Sequence, residues 1–145
     1  MKRVLFLCTG NTCRSPMAEG LLRAKLEENG IEAEVNSAGL AAEEGMPASE
    51  NSVLVCKERG VDLSAHRSKV LTYEMLRECD LIYCMTRGQA SSLIVAAPFA
   101  AGKVNVLEPE VPDQYGGDID QYRRARDTIE AALPAVLEKL RCAAE

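Results

Sequence analysis

The start of the chain combines an apolar segment, a short loop and a helical segment. The apolar side chains of this segment run from Val4 to Cys8, and we predict a strand over residues 3–8. Uninterrupted apolar sequences are typical of strands buried on both faces of a parallel sheet. Ser15 and Pro16 then begin a helical pattern, since proline is tolerated in the first turn of a helix. The order of these three segments predicts the first part of a βαβ unit.

The rest of the chain continues this alternation of strands and helices. Periodicity and turn residues predict further strands near residues 32–37, 81–85 and 103–107. They predict helices near residues 15–28, 48–58, 73–77, 88–96 and 119–141. Alternating strands and helices indicate an α/β fold with a doubly wound parallel sheet and right-handed crossovers. Such sheets bind ligands at the carboxyl ends of their strands, where the first loop would lie.

The loop after the first strand has the composition of a phosphate-binding loop. Backbone N–H groups that precede a helix converge on one point, and the helix dipole adds positive potential there. Gly10 accepts a positive φ without steric cost, and Asn11 tolerates it better than most residues. The residues expected to contact a bound phosphoryl group are Thr9, Gly10, Asn11, Thr12, Cys13, Arg14 and Ser15.

Cys8 lies where the strand meets this loop, so its sulfur is predicted to act as a nucleophile. Thiols near an arginine and a helix N-terminus ionise more readily, and the thiolate is the attacking form. Arg14 offers a planar fork that matches two phosphoryl oxygens. The hydroxyl of Ser15 is placed to donate to the sulfur. A small buried hydrophobic role for Cys8 is the alternative interpretation.

Residues Val4–Leu22 resemble the signature of the low-molecular-weight protein tyrosine phosphatases, Cys-x-Gly-Asn-x-Cys-Arg-Ser-Pro. The similarity continues along the chain in four further segments. These are Ser37-Ala38-Gly39, residues 60–67 (GVDLSAHR), residues 80–86 (DLIYCMT) and Pro112-Asp113-Gln114-Tyr115. The resemblance implies a three-layer domain over residues 1–145, whose four-stranded parallel sheet has the order 2-1-3-4 between helices. The phosphate-binding loop would follow strand 1.

The resemblance also implies roles for residues outside the loop. Asp113 matches the aspartate that protonates the leaving group and later activates water. The family's next residue, a proline, is Gln114 here. Ser37 and His66 match a serine and a histidine that hold the loop asparagine, Asn11, in a strained conformation. The only histidine is therefore predicted to be structural rather than a general base.

Other carboxylates and cysteines lie near these positions. The acids around Asp113 are predicted to be solvated surface groups; they are Glu108, Glu110, Asp118 and Asp120. Cys13 has two open interpretations. Oxidation that joins it to Cys8 would protect the nucleophile from over-oxidation, and a simple small loop side chain is equally compatible.

Thr12 bears on the choice of substrate. Family members that act on phosphotyrosine usually carry an apolar branched residue here, whereas bacterial protein arginine phosphatases carry threonine. A hydroxyl at the opening of the substrate-binding site can hydrogen-bond a phosphoguanidine, and Tyr115 would form one wall of that site. We therefore expect a phosphatase acting through a phosphocysteine on protein phosphoarginine, with phosphotyrosine as the alternative. A neutral replacement at Thr12 is the competing interpretation.

Two further functions remain as alternatives. A thioredoxin-coupled arsenate reductase would use resolving cysteines, for which Cys79 and Cys84 are present. A catalytically silent phosphoprotein-binding module would lack the nucleophile or the acid, and both Cys8 and Asp113 are present.

Composition sets the broader expectations. The chain has 145 residues, six cysteines and a net charge of −5. This length fits one domain, and the cysteines fit reduced thiols rather than a disulfide framework or a zinc site. The negative charge argues against nucleic acid. The sequence shows neither a basic leader nor an apolar run of about 18 residues. We expect a cytoplasmic protein without membrane contact, metal or cofactor, whose partners are phosphorylated proteins and whose product is inorganic phosphate.

Overall fold

Four parallel strands form the centre of the structure. The computed structural model describes residues 1–113 and 117–144. The strands are β1 (Lys2–Cys8), β2 (Ala33–Gly39), β3 (Leu81–Cys84) and β4 (Val104–Val106). They pair in the order β2-β1-β3-β4, and every pair is parallel. The predicted strand order 2-1-3-4 is therefore confirmed.

Helices connect these strands. They are α1 (Arg14–Asn29), α2 (Glu50–Lys57), α3 (Tyr73–Glu78), α4 (Arg87–Ala96) and α5 (Ile119–Ala144). Helix α2 begins two residues later than predicted because the Ser49 side chain accepts a hydrogen bond from the N–H of Ser52 and so caps the helix. A 3-10 helix at Pro98–Lys103 was not predicted. Helix α5 continues through Pro134.

The apolar side chains of β1 divide between two cores, one on each face of the sheet. Val4 and Phe6 belong to the cluster formed with α1 and α5. Leu5 and Leu7 belong to the cluster formed with α3 and α4. Since consecutive strand residues point to opposite faces, an uninterrupted apolar strand supplies both cores at once. The three-layer arrangement predicted for the domain is confirmed.

This topology places the carboxyl end of β1 between two neighbouring strands. Cys8, the last residue of β1, lies opposite Gly39 of β2. On the other side, Leu7 lies opposite Cys84, the last residue of β3. The loops that leave β1, β2 and β3 therefore meet at one edge of the sheet, where doubly wound folds bind ligands. Within the described parts of the chain, no helix has the length and apolar character needed to cross a membrane.

Candidate active site

The loop of residues 9–13 contains one residue with a left-handed backbone. Asn11 has φ of 56° and is fully buried. Gly10, for which a positive φ was considered, does not have one. A Cβ atom added at Gly10 would meet only Thr12 Oγ1, at 3.7 Å. The unusual conformation thus falls on the asparagine, whose side chain can satisfy it with hydrogen bonds.

Gly39 supports this loop from the neighbouring strand. A Cβ atom added there would lie 2.8 Å from the carbonyl oxygen of Thr9 and 3.1 Å from the amide nitrogen of Asn11. It would also lie 2.5 Å from the Cβ of Ala42. These neighbours are backbone or a short side chain and cannot rotate away. Only glycine allows β2 to approach the loop this closely.

The close contact between Gly39 and the loop backbone can be tested by substitution. Gly39→Ala should weaken the binding of inorganic phosphate and lower the free energy of unfolding by about 1–3 kcal/mol, because the added methyl group displaces the loop backbone. Isothermal titration and denaturant unfolding measure the two effects. Gly102→Ala is the control, since an added Cβ meets nothing within 4 Å there. Unchanged phosphate affinity in Gly39→Ala would contradict the proposed contact.

Cys8 lies at the base of the loop, and the residue is 2% exposed. Ser15 Oγ lies 2.9 Å from its sulfur. Asn11 Nδ2 donates to Ser15 Oγ at 2.8 Å and to Ser37 Oγ at 2.9 Å. His66 Nε2 lies 2.7 Å from the carbonyl oxygen of Asn11. A carbonyl oxygen only accepts, so this nitrogen of His66 carries the proton.

The structure therefore brings together five residues of the predicted site: Cys8, Ser15, Asn11, Ser37 and His66. His66 contacts the loop backbone, and its hydrogen bond supports the strained residue. This contact agrees with the predicted structural role of the histidine.

Arg14 opens helix α1 and is 3% exposed. Its Nη1 donates to the carbonyl oxygen of Val111 at 3.0 Å. Its Nε is buried and has no hydrogen-bond partner among residues 1–113 and 117–144. Leaving a buried donor unpaired costs about 1–3 kcal/mol. Arg14 also lines a cavity together with Cys8, and an oxyanion bound there would offer an acceptor to this donor.

Asp113 lies across the same cavity. Its Oδ2 is 3.9 Å from Arg14 Nη2, and its side chain is 58% exposed. The preceding segment is fixed to the sheet, because the N–H of Val111 donates to the carbonyl oxygen of Met85 at 2.8 Å. Gln114 and Tyr115 lie outside the described residues, so the predicted wall formed by Tyr115 stays a prediction.

A cavity of about 250 Å³ joins these groups. It is lined by Cys8, Thr9, Gly10, Thr12, Cys13, Arg14 and Asp113. Residues 10–15 form the loop and the start of α1, where backbone N–H groups have no acceptor within the helix. These donors and the N-terminus of α1 give the cavity a positive potential suited to a phosphoryl group. The arrangement places a sulfur at the floor, cationic and N–H donors around it, and a carboxylate at the opening.

Cys13 has neighbours that the sequence did not indicate. Its Sγ lies 3.3 Å from Tyr122 Oη and 3.5 Å from Ser49 Oγ. Burial, followed by the contact with Cys13, raises the pKa of Tyr122 to about 12, so the phenol stays protonated. The N–H of Ser49 also donates to the carbonyl oxygen of Thr12 at 2.8 Å. Helices α2 and α5 thus hold the far side of the loop, while oxidation of Cys13 with Cys8 stays a prediction.

The acids expected at the surface near Asp113 do lie there, but each has a partner. Arg87 donates from Nη2 to Glu108 at 2.6 Å and pairs through Nη1 with Glu110 at 3.1 Å. Asp118 accepts from the N–H of Gln121, and Asp120 pairs with Arg123. These acids hold the segments before and after Asp113 rather than facing solvent alone.

The cysteines required for a reductase are buried. Cys84 is fully buried in β3, and burial raises the pKa of its thiol to about 12. Burial also raises the pKa of Cys79. Thiols protonated in this way are poor resolving nucleophiles. No cluster of three His, Cys, Asp or Glu side chains that could hold a metal ion occurs among the residues that the structure describes.

Comparison with known proteins places this site in context. The model of the family described as "Low molecular weight phosphotyrosine protein phosphatase" matches residues 3–144. A protein-arginine-phosphatase of Geobacillus stearothermophilus is 40% identical over 145 residues, which cover 95% of each chain. A probable low molecular weight protein-tyrosine-phosphatase, EpsP, of Ralstonia nicotianae is 33% identical, and the match covers 97% of each chain.

A solved structure adds a chemical observation. The YwlE arginine phosphatase, in a variant with a phosphorylated active-site serine, superimposes with a TM-score of 0.91 and 33% identity. The match covers 96% of this chain and 95% of that one. In that relative, a residue at the active site accepts a phosphoryl group covalently.

Proposed function

Since the chain belongs to the low molecular weight phosphotyrosine protein phosphatase family, we propose that it removes phosphate from protein phosphoarginine through a phosphoenzyme on Cys8. The observation that carries this proposal is the single cavity in which Cys8, Arg14, Thr12 and Asp113 meet. It holds the three groups that phosphoryl transfer to sulfur requires: a nucleophile, a cationic anion clamp and a proton donor.

In the first step, Cys8 Sγ forms a bond to phosphorus while the P–N bond to the guanidine breaks. Asp113 donates a proton to the departing nitrogen. The phosphoryl oxygens lie against Arg14 and the loop N–H groups, which stabilise the negative charge of the transition state. Ser15 donates to the sulfur and stabilises it when it later becomes the leaving group.

In the second step, water attacks the phosphorus of the phosphocysteine. Asp113, now a carboxylate, accepts a proton from that water. The S–P bond breaks, inorganic phosphate leaves, and the thiolate of Cys8 is restored. Asp113 suits both steps because it lines the same cavity as Cys8 and its side chain is 58% exposed, within reach of both the leaving group and water.

The preference for phosphoarginine rests on polar groups at the opening of the cavity. Thr12 is half-buried and lines the cavity together with Asp113. The hydroxyl of Thr12 and the carboxyl group of Asp113 can both form hydrogen bonds with a guanidine group, whereas the phenyl ring of phosphotyrosine offers no hydrogen-bonding group to them. The 40% identical arginine phosphatase supports the same choice. Phosphotyrosine is the second candidate, favoured by the family description and by the EpsP relative.

The experiment compares kcat/KM on a phosphoarginine peptide and on a phosphotyrosine peptide of the same flanking sequence, with one enzyme sample. We expect faster turnover of phosphoarginine. A higher kcat/KM on phosphotyrosine would transfer the proposal to the second candidate. If neither peptide released phosphate, the enzyme proposals would be wrong and a catalytically silent phosphoprotein-binding module would be the remaining candidate.

Thr12→Ile is the variant that tests the origin of the preference. We expect the ratio of kcat/KM for phosphoarginine to that for phosphotyrosine to fall by about 10²-fold or more, because the hydroxyl is lost and an apolar wall is gained. Thr128→Ile makes the same change on α5, where Thr128 is half-buried, does not line the cavity and donates to the carbonyl oxygen of Arg124, and should leave the ratio unchanged. An unaltered ratio in Thr12→Ile would remove this residue from the specificity argument.

The single domain, the cytoplasmic location and the lack of a nucleic-acid partner stay predictions. Phosphorylated protein substrates are part of the proposal, since both curated relatives are protein phosphatases by name. Inorganic phosphate is the product that the two steps require.

A further inference from the structure

A row of hydrogen bonds connects the sulfur of Cys8 with a carboxylate on helix α1. Starting from the sulfur, Ser15 Oγ lies 2.9 Å away and accepts from Asn11 Nδ2 at 2.8 Å. The same nitrogen donates to Ser37 Oγ at 2.9 Å. Ser37 Oγ donates to Glu19 Oε1 at 2.5 Å. Glu19 was not among the residues that the sequence indicated.

The number of protons in this row determines the direction of every hydrogen bond. Asn11 Nδ2 has two hydrogens, one for Ser15 and one for Ser37. Ser37 has one proton, and an ionised carboxylate can only accept, so this proton points to Glu19. The proton of Ser15 is then free to point to Cys8. The sulfur is the acceptor in this contact, which is the arrangement that stabilises a thiolate.

The orientation of the Asn11 amide is fixed independently. Its Oδ1 accepts from the N–H of Lys69 at 2.9 Å. A backbone N–H can only donate, so the oxygen must face Lys69 and the nitrogen must face the two hydroxyls. The row therefore has a defined polarity along its whole length.

We propose that Glu19 is a positioning residue: its carboxylate accepts the proton of Ser37, which leaves the Ser37 oxygen as an acceptor for Asn11 and so holds the Asn11 amide and the Ser15 hydroxyl in place against the Cys8 sulfur. The proposal rests on the proposed function only in taking Cys8 as the nucleophile. Glu19 does not contact the cavity that holds the phosphoryl group, and it acts through Ser37, Asn11 and Ser15.

Charged and hydrogen-bonding groups surround the side chain of Glu19. It is 14% exposed, and its Oε2 accepts from Arg23 Nη2 at 2.8 Å. The groove beside it is lined by further charged or titratable groups: Asp62, His66, Arg67 and Lys69. Three of these four are basic or can become cationic. The carboxylate thus receives one hydrogen bond on each oxygen and lies among mostly positive groups.

Glu19→Gln tests this arrangement because the side-chain amide of glutamine has one accepting oxygen and one donating nitrogen. It cannot accept hydrogen bonds from both Ser37 and Arg23 as the two carboxylate oxygens do. Arg23 has no acceptor atom, so the amide oxygen must face Arg23 and the amide nitrogen must face Ser37. Ser37 then receives donors from both neighbours and loses the acceptor for its own proton. The relay is disturbed at its anchored end although the side chain keeps its size.

The informative measurement is the rate at which iodoacetamide alkylates Cys8 as a function of pH, followed by mass spectrometry of the Cys8 peptide. Loss of the Ser15 hydrogen bond should move the midpoint of this profile to higher pH. If Glu19 acted on Cys8 only through the electrostatic effect of its negative charge, removing that charge would favour the thiolate. The midpoint would then move to lower pH. The two explanations of Glu19 therefore predict shifts of opposite sign.

We expect a higher midpoint in Glu19→Gln, together with a kcat that is about 10-fold lower and a KM close to that of the wild type. Glu28→Gln removes the same charge from the exposed end of α1, where Glu28 pairs with Lys25, and should change neither quantity. A midpoint that is unchanged or lower in Glu19→Gln overturns the proposal.

A second variant tests rescue. In Glu19→Gln/Arg23→Leu, the amide oxygen no longer has to face Arg23 and can accept from Ser37 again, so the midpoint should return toward the wild-type value. Failure of this rescue also counts against the relay. If Glu19→Gln does not fold, Ser37→Ala interrupts the same row without changing the charge, and an unshifted midpoint in that variant overturns the proposal. Alkylation requires no phosphorylated substrate, so its result is independent of whether phosphoarginine is hydrolysed.

Discussion

Cys8→Ser is expected to lower kcat by at least about 10⁴-fold on any phosphorylated substrate. A hydroxyl gives up its proton far less readily than a thiol, and a serine bound to phosphorus is a poorer leaving group in the second step. The binding of inorganic phosphate should persist, because the donors around the cavity are Arg14 and the loop N–H groups rather than the sulfur. Steady-state kinetics and isothermal titration measure the two quantities.

A phosphoenzyme measurement and a control variant complete the test of Cys8. Acid-quenched wild-type enzyme should carry a phosphoryl group on the Cys8 peptide, as judged by mass spectrometry. Cys142→Ser, at the exposed end of α5, should behave as the wild type. Substantial turnover by Cys8→Ser, or a phosphoryl group recovered on another residue, would rule out the covalent route.

Arg14→Lys is expected to lower kcat/KM by about 10²- to 10³-fold, although the charge is kept. The guanidinium has three nitrogens in one plane, of which Nη1 binds the carbonyl oxygen of Val111 and Nε remains for an anion. A lysine provides a single ammonium group that cannot serve both partners. Phosphate affinity should therefore fall together with the rate.

The control for this change is Arg141→Lys. Arg141 lies in the last turn of α5, where its side chain is 48% exposed and donates to Asn29. It should retain wild-type kinetics. Near-normal kcat/KM in Arg14→Lys would mean that only the charge at this position matters, and the fork geometry would then have no catalytic importance.

The segment from β1 to the start of α1 was predictable because its signals are local. A strand buried on both faces, a loop of small residues and a helix start follow one another within a short stretch. The left-handed residue was not predictable in the same way, since Asn11 is held by His66 and Lys69, which are 55 and 58 residues away in the sequence. Conformational propensity alone allowed a positive φ at Gly10 as well as at Asn11.

Buried charges were the other limit of sequence-based prediction. The charged residues Arg123, Arg124, Arg126 and Asp127 predict, by their spacing in the helical pattern of residues 119–141, a solvated helix face, yet Arg126 is only 4% exposed. Its Nη1 donates to the carbonyl oxygen of Val55 at 2.9 Å and to Glu58 at 2.6 Å. Val55 lies on α2 and Glu58 directly follows it, so the sequence of α5 does not reveal these two partners. Glu19 was missed for the same reason, although its position four residues after Ser15 places both on one helix face.

The double attachment of Val111 has a consequence for the catalytic cycle. Its N–H donates to the carbonyl oxygen of Met85, the residue after β3, its carbonyl oxygen accepts from Arg14, and Asp113 follows two residues later. A movement of the guanidinium toward an anion would therefore also shift the segment that carries Asp113, the proposed proton donor. We expect anion binding and the position of this acid to be coupled through Val111.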